Sequence, residues 1–245
     1  MRRQSGSATA SSRSVTACSS QMNKEEYIAY LKGRKSSHKV NYHLECLKEI
    51  RKIQQEGRKP SLLLHACCGV CACWPLEFLH DHFDITVYFN NSNIWPAEEH
   101  DKRLSELQRY IHEKFGDDIP VIVTPYDNVS YTQKLEPMKD DPEGWQRCFF
   151  CYEERMNEAF AYADSHGFDY FTTVMTFSRQ KDSQKINGIG IALETKYEHT
   201  KYLRSDFKKG GGQTRSAELV DEYCIYRQDY CGCVYSYMDR HSEQG

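Results

Sequence analysis

The sequence predicts an α/β protein built on a doubly wound, mostly parallel sheet of about five strands. Short apolar runs alternate with longer segments of helical period, and glycines and prolines separate the two kinds of segment. The resulting order is strand, helix, strand along most of the chain. Because right-handed crossovers join parallel strands, each intervening helix is expected to cover one face of the sheet.

The first half of the chain shows this alternation clearly. Apolar residues recur at helical spacing in 41–56, and the three leucines from Leu62 to Leu64 are typical of a strand buried on both faces. Pro75 and Pro96 each indicate the start of a helix. We therefore expect helices over 41–56, 75–82 and 96–115, and strands over 61–66, 84–90 and 119–124.

The second half begins irregularly and then resumes the pattern. Residues 126–145 contain Pro137 and Pro142, so we expect a loop with at most a short helix. A helical period follows over 148–166 and ends at Gly167. The remaining elements are predicted to be a strand over 170–175, a helix over 183–197 and a short strand over 201–204.

Composition limits the class of protein. With 245 residues, 39% of them hydrophobic, the chain can bury a full core. No apolar run approaches the ~20 residues of a membrane span, and the Ser-rich N-terminus lacks the apolar segment of a secretory signal. We expect a cytoplasmic protein with no membrane partner. It should consist of a disordered, basic extension over residues 1–40 and one α/β domain over residues 41–240.

The net charge of −3 conceals two basic segments. Residues 1–59 contain thirteen Lys and Arg against five Glu, so the rest of the chain carries a net charge of −11. A second basic stretch, residues 196–215, surrounds a run of three glycines. Two basic segments on an otherwise acidic chain indicate a polyanionic partner, while a solvated face is the simpler interpretation of either segment alone.

Eleven cysteines give the strongest functional signal. In a reducing compartment, clustered cysteines are more often metal ligands or redox groups than structural disulfides. Cys18, Cys46 and Cys224 stand alone, and we interpret them as free thiols. The other eight form three groups, which are Cys67-Cys68-x-x-Cys71-x-Cys73, Cys148-x-x-Cys151 and Cys231-Gly232-Cys233.

The first two groups are predicted to converge at one edge of the sheet. The first lies in the turn after the first strand, and the second lies at a helix start, where thiolates are favoured. Because the first and fourth strands of a doubly wound sheet are neighbours, both turns can reach one crevice. Two thiolates from each turn suit tetrahedral zinc or an iron–sulfur cluster, and spacing alone does not choose between them. A ligand-binding edge favours a working metallocofactor over a structural zinc.

The third group differs from the other two in its spacing and in the chemistry that this spacing allows. One glycine separates Cys231 from Cys233, so a strained disulfide of the labile, redox-active kind is feasible. Additional metal ligands or two unpaired thiols are equally compatible with the sequence. The preceding residues, 226–230, offer aromatic and basic side chains that can stack on a base and pair with a phosphate.

Five motifs occur in a fixed order along the chain. They are HACCGVC at 65–71, YFNNSNIWP at 88–96, RCFFCYEER at 147–155, GFDYFTT at 167–173 and YRQDYCGC at 226–233. In this order they resemble the cobalamin-independent epoxyqueuosine reductases of bacteria, over residues 40–237 of this chain. The resemblance implies a fold related to HUP-like Rossmann nucleotide-binding and tRNA-thiolating enzymes.

The resemblance also implies a reaction and a set of site residues. The reaction converts epoxyqueuosine to queuosine at the wobble position of tRNA, with the anticodon stem-loop and an electron donor as partners. The cofactor would be a [4Fe–4S] cluster, with one additional iron beside it. In the numbering of this chain, the cluster ligands would be Cys67, Cys68, Cys148 and Cys151, the additional iron would bind Cys71, and the redox-active pair would be Cys231 and Cys233.

Two departures and two alternatives accompany this interpretation. Gly69-Val70 stands where the family usually has Ala-Pro, which should alter the stiffness of the turn more than its ligands, and Cys73 has no family counterpart. An ATP-dependent tRNA sulfurtransferase of the same fold would need a Ser-Gly-Gly-x-Asp-Ser turn where residues 67–71 lie. A zinc-stabilised RNA-binding module would be colourless and contain zinc without iron or sulfide.

Overall fold

The structure is a computed structural model that describes residues 39–241. From Val40 onward these residues belong to one compact unit. The disordered extension predicted over residues 1–40, together with Cys18, lies outside the described part of the chain except for its last two residues. No helix between residues 39 and 241 combines the length and the apolar character that crossing a bilayer requires.

The described chain alternates strands and helices, as the sequence predicts. Two short 3-10 helices, Glu136–Met138 and Val174–Phe177, lie between the longer elements. The order of the longer elements is α1 Tyr42–Gln55, β1 Ser61–His65, α2 Gly69–His80, β2 Asp84–Phe89, α3 Ala97–Phe115, β3 Val121–Val123, α4 Asn128–Leu135, α5 Gln146–Ser165, β4 Tyr170–Thr173, α6 Ser183–Glu194, β5 Lys201–Tyr202, α7 Gly212–Glu222 and α8 Val234–His241.

The five strands form one sheet in the order β3-β2-β1-β4-β5, and every neighbouring pair is parallel. This confirms the predicted α/β doubly wound fold. The strand order reverses between β1 and β4, and His65 at the end of β1 lies in register with Tyr88 on one side and Thr173 on the other. Loops leaving β1 and β4 diverge at such a reversal, so a crevice opens there at the carboxyl edge.

Helices cover both faces of the sheet. Leu62 and Leu64 belong to a core shared with α1, α2, α3 and α7. Leu63, which points to the opposite face, belongs to a core shared with α5 and α6. Successive strand side chains alternate between faces, so three consecutive leucines serve both cores, as their run predicted.

One predicted helix start is wrong, and two helices were not predicted. Helix α2 begins at Gly69 and contains Pro75, although the sequence indicated a start at Pro75. Packing of α2 against α3 and α7 maintains the helix across the hydrogen bond that proline cannot donate. Consequently Cys71 and Cys73 are helical and do not lie in the turn. The region predicted as a loop with at most a short helix contains the eight-residue α4, in agreement with that expectation, whereas α7 and α8 were not predicted.

The burial of α2 sets an expectation for stability. Leu76 is 0% exposed, so Leu76→Ala is expected to lower the free energy of unfolding by about 2–5 kcal/mol. Leu44 on α1 is 50% exposed, and Leu44→Ala is the matched control, with an expected change within about 0.5 kcal/mol. Urea denaturation followed by circular dichroism measures both. Equal losses in the two variants would contradict this packing.

Candidate metal and redox centre

The end of β1 and the start of α2 bring three thiols together. The sulfur atoms of Cys67, Cys68 and Cys71 all lie within 4.8 Å of one another, and those of Cys67 and Cys68 are 3.9 Å apart. Cys68 occupies the N-cap of α2 in an extended conformation, and Cys71 follows in the first turn. The chain therefore curls so that two adjacent cysteines and one from the helix face a common point.

Hydrogen bonds among the three thiols shift their pKa values in opposite directions. Hydrogen bonds from Cys68 and Cys71 hold the pKa of the Cys67 thiol well below its ordinary value. The hydrogen bond with Cys67 raises the pKa of Cys68 to about 12 and also raises the pKa of Cys71. A thiolate at Cys67 supported by two neighbouring thiols is a suitable starting state for binding a cation, since the thiolate is the form that ligates metals.

Cys73 has a different role from the rest of its group. Its sulfur lies 3.3 Å from the Ser216 hydroxyl and 3.4 Å from the Val70 carbonyl oxygen, within the core between α2 and α7. Burial raises the pKa of this thiol. Cys73 therefore packs two helices together and does not face the other thiols of its group.

The second group lies at the start of α5, as predicted. Helix α5 begins at Gln146, so Cys148 lies in its first turn and Cys151 in its second. The backbone N–H of Gly144 donates a hydrogen bond to the Cys148 sulfur at 3.2 Å. Burial raises the pKa of Cys148 to about 11 and also raises the pKa of Cys151. Neither sulfur belongs to the 4.8 Å group formed by the first three thiols.

The third group is a tightly anchored turn of free thiols. Arg103 donates to the carbonyl oxygens of Cys231 at 3.0 Å and Tyr230 at 3.2 Å. The Trp95 N–H donates to the Gly232 carbonyl at 2.7 Å, and the Cys231 N–H donates to the Ser236 hydroxyl. Gly232 has a φ of +129°, and a Cβ there would lie 3.0 Å from the Arg103 guanidinium, so this turn requires glycine.

Two cations connect the three groups. The guanidinium of Arg155, which is buried, interacts electrostatically with the sulfurs of Cys151, Cys67 and Cys231. Lys181, on the loop before α6, interacts with Cys231, Cys67 and Cys71. This links the second and third groups electrostatically to the first, whose three sulfurs the structure gathers at the crevice at the carboxyl edge of the sheet. Two positive charges at this position offset the charge that several thiolates would accumulate.

A cavity of about 460 Å³ opens directly onto this crevice. Three cysteines contribute to its wall, whereas Cys68, Cys148, Cys151 and Cys233 do not. The rest of the wall is mixed, with three cations and several amides beside Asp229 and beside apolar side chains that include Val70, Phe177 and Val220. Its lining includes Cys67, Cys71, Cys231, Arg179, Lys181, Arg227, Gln180, Gln213, Gln228 and Tyr230. A cavity of this volume suits one small organic group, such as a nucleoside.

The comparisons with known proteins agree with this geometry. Residues 62–239 match the family described as epoxyqueuosine reductase QueH. A Streptococcus pyogenes protein named epoxyqueuosine reductase QueH is 41% identical over 202 residues, covering 81% of this chain and 78% of the relative. Its Staphylococcus aureus counterpart is 36% identical over 224 residues, covering 89% and 91%. The Histophilus somni protein of that name is 40% identical over 179 residues, covering 73% and 72%.

This chain belongs to the epoxyqueuosine reductase QueH family. It is therefore an oxidoreductase of queuosine biosynthesis. Family membership is consistent with a redox role for the grouped thiols, because a reductase has to hold and deliver electrons. The matched region begins within β1 and ends within α8, so it contains all three cysteine groups.

The donor set of the crevice fits the iron–sulfur cofactor that the family resemblance implies. Thiols are the ligands of iron–sulfur clusters, and none of the crevice cysteines forms a disulfide in the described chain. Two buried donors facing this region, His65 Nε2 and Arg155 Nε, have no hydrogen-bond partner among residues 39–241.

Sequence reasoning assigned no role to four residues that shape the site. Arg155 lies four residues after Cys151, one helical turn away on the same face, and this spacing could have revealed it. Arg103 is a charged residue on the buried face of α3, and a charge at such a position could have been noticed in the sequence. His65 is the last residue of β1 and precedes Cys67 by two residues, and this nearness to the first cysteines could have drawn attention to it. Lys181 reaches the crevice only through tertiary folding and carries no local signal.

Some side chains of the basic stretch 196–215 and of the aromatic segment 226–230 make contacts within the fold. Lys208 donates to the carbonyl oxygens of Ser178 and Lys181, and Arg215 pairs bidentately with Glu77, so these cations of the 196–215 stretch stabilise the fold. In the segment predicted to stack on bases, the Tyr230 hydroxyl donates to the Trp95 carbonyl and its ring is buried. Arg227, by contrast, is exposed and lines the cavity.

The anchoring of the third group yields a test. Arg103→Met removes the donors to Cys231 and Tyr230 and leaves Glu99 without its partner at 2.7 Å. We expect a loss of roughly 3–5 kcal/mol of stability and faster amide exchange confined to residues 226–236. Hydrogen exchange with mass spectrometry measures the second effect. Gln108→Met, at an exposed position of the same helix, is the control, and unchanged exchange in Arg103→Met would contradict the anchoring role.

Proposed function

We propose that this chain reduces epoxyqueuosine to queuosine at the wobble position of tRNA, using an iron–sulfur cluster and a redox-active cysteine pair. The observation that carries this proposal is the convergence of three cysteine groups beneath one cationic cavity. Family membership supplies the reaction type, and the crevice supplies the sulfur needed to carry it out. The proposal places the enzyme in the cytoplasm, where tRNA and reduced thiols coexist.

The electron balance of the reaction matches the cysteine pair. Removing the epoxide oxygen as water and restoring the carbon–carbon double bond consumes two electrons and two protons. Oxidation of Cys231 and Cys233 from two thiols to one disulfide releases two electrons and two protons. One turnover can therefore leave this pair oxidised, and an external electron donor then has to reduce the disulfide before the next turnover.

The two cysteines of the pair are placed asymmetrically. Cys231 contributes to the cavity wall, whereas Cys233 does not. The Cys233 sulfur accepts a hydrogen bond from the Ser236 N–H, and burial raises the pKa of this thiol to about 12. We assign Cys231 as the thiol that faces the substrate and Cys233 as its partner in the disulfide.

The proposed cofactor is a [4Fe–4S] cluster held by Cys67, Cys68, Cys148 and Cys151, with an additional iron at Cys71. When bound, it would relay single electrons and supply a Lewis acid for the departing oxygen. The chain supplies the surrounding charge. Lys181 lines the cavity and also interacts with the sulfurs, so its ammonium is placed to stabilise negative charge that develops on the leaving oxygen.

The substrate would enter the cavity as a single nucleoside from the anticodon stem-loop. A base inside a stacked loop cannot reach buried sulfur, so the wobble nucleoside has to leave the stack. Arg179 and Arg227 at the cavity wall are suited to the flanking phosphates, and the three glutamines offer amide groups to the base. These residues bring the anticodon and the redox centre together.

Metal analysis of cysteine variants tests the cofactor. Anaerobically purified protein should contain iron and acid-labile sulfide and should reduce epoxyqueuosine in tRNA with a chemical reductant. Cys67→Ala is expected to remove at least nine-tenths of both the cluster and the turnover, because it deletes the thiolate of the triad. Cys231→Ser should retain the iron and sulfide and lose turnover.

Exposed Cys224 provides the control, since Cys224→Ser should change neither metal content nor turnover. Zinc without iron and sulfide would instead identify the zinc-stabilised RNA-binding module. Release of pyrophosphate from ATP would identify the sulfurtransferase alternative. Full activity in both Cys67→Ala and Cys231→Ser would show that the proposed roles are wrong.

Salt dependence of tRNA binding tests the cavity wall. Arg227→Gln is expected to weaken binding and to reduce the slope of log affinity against log salt by ~1, because one phosphate contact is lost. Lys48→Gln on α1, which is exposed and away from the cavity, is the control. Fluorescence anisotropy with a labelled anticodon stem-loop measures both slopes. Identical slopes for Arg227→Gln and the unmodified chain would exclude Arg227 from the interface.

A further inference from the structure

His65 is a buried histidine whose ring is only half satisfied. It closes β1, two residues before Cys67, and it is completely buried. Its Nδ1 lies 2.8 Å from the Thr173 hydroxyl on β4. Its Nε2 is inaccessible to solvent and has no hydrogen-bond partner among residues 39–241. An unpaired polar atom at such depth costs stability unless a group absent from the polypeptide satisfies it.

The hydrogen-bond network around Thr173 identifies which ring nitrogen carries the proton. The Thr173 oxygen already accepts the N–H of Met175 at 3.1 Å, and its hydroxyl has one hydrogen to donate. Donation of that hydrogen to Nδ1 satisfies the hydroxyl and leaves the proton of the ring on Nε2. The alternative tautomer would leave both the hydroxyl hydrogen and the Nε2 lone pair unused. His65 therefore presents an N–H donor at Nε2.

The ring lies close to charged groups of the sulfur site. Leu63, on the same strand face as His65, packs with Cys148 and the other residues of the α5 core. Arg155 and Cys67 are the first two charged neighbours acting on the ring. His65 is not part of the group of ligand atoms within 4.8 Å formed by Cys67, Cys68 and Cys71. It is placed beside the sulfur site without being a member of the metal-ligand set.

Two of the proposed cluster ligands already receive an N–H from the polypeptide. Gln228 Nε2 donates to the Cys68 sulfur at 2.9 Å, and the Gly144 N–H donates to the Cys148 sulfur at 3.2 Å. Hydrogen bonds to the sulfurs of an iron–sulfur cluster stabilise its more negative, reduced state. The unpaired donor of His65, adjacent to Cys67, extends this pattern to a third position.

We propose that His65 donates a hydrogen bond from Nε2 to a sulfur atom of the cluster held at Cys67, a group absent from the polypeptide, and so raises the reduction potential of that cluster. The inference rests on the cluster assigned under Proposed function. His65 is a positioning and tuning residue in this role, because it acts on the cofactor and does not contact the substrate. Thr173 fixes the orientation and the tautomer of the ring, as the outer partner of a metal-site histidine does.

Two substitutions at position 65 test this inference. His65→Leu removes the donor at similar volume, and His65→Gln keeps an N–H within similar reach. In each variant, iron and sulfide content is measured first, and the midpoint potential of the cluster is then measured by redox titration followed by electron paramagnetic resonance. We expect His65→Leu to lower the potential and His65→Gln to return it toward the wild-type value.

A His65→Leu protein with full iron and sulfide content and the wild-type potential would overturn the inference. If His65→Leu does not assemble a cluster, Thr173→Val and Thr173→Ser decide, since only serine keeps the hydroxyl that orients the ring. A lower potential in the valine variant alone supports the inference, and equal potentials in both overturn it. Absence of iron and sulfide from the wild-type protein would overturn the cofactor assignment, and this inference with it.

Discussion

The buried guanidinium of Arg155 is the interaction on which the crevice depends. It donates to the side chains of Asn91 and Asn93 after β2 and contacts the Met175 sulfur after β4. It also interacts electrostatically with sulfur atoms from all three cysteine groups. One cation on α5 therefore ties together the loops that follow two strands and offsets the negative charge that those loops surround. A buried charge of this kind is stable only with such partners.

The sequence predicts the parts of this arrangement that follow from local patterns. Apolar periodicity identifies the strands, and the handedness of crossovers makes β1 and β4 neighbours, so convergence of the first two cysteine groups follows before any coordinates exist. The helix start at Gly69 does not follow, because Pro75 is a local start signal that packing overrides. The contacts of Arg103 and Lys181 join residues far apart in sequence, and no local pattern contains them.

Cys71 and Cys73 show how one such boundary changes the chemistry. Two helical residues spaced by two point about 200° apart around the axis, so they cannot serve the same site. One faces the crevice with Cys67 and Cys68, while the other packs against α7 beside Ser216. The sequence assigns Cys71 a ligand role only through the family resemblance and assigns Cys73 none. The helix places the Cys71 thiol at the crevice and the Cys73 thiol in the core, although the two side chains are chemically identical.

The anchoring of the turn around Gly232 has a consequence for how the proposed cysteine pair would be reduced. Since Arg103, Trp95 and Ser236 hold its backbone from three sides, this segment is not a mobile arm that carries electrons outward to a carrier. For the redox pair proposed above, a reductant would have to approach the protein surface at Cys231 and Cys233, both of which are only partly covered. The side of the molecule near residue 233 would then admit reducing equivalents while the cavity held the proposed nucleoside.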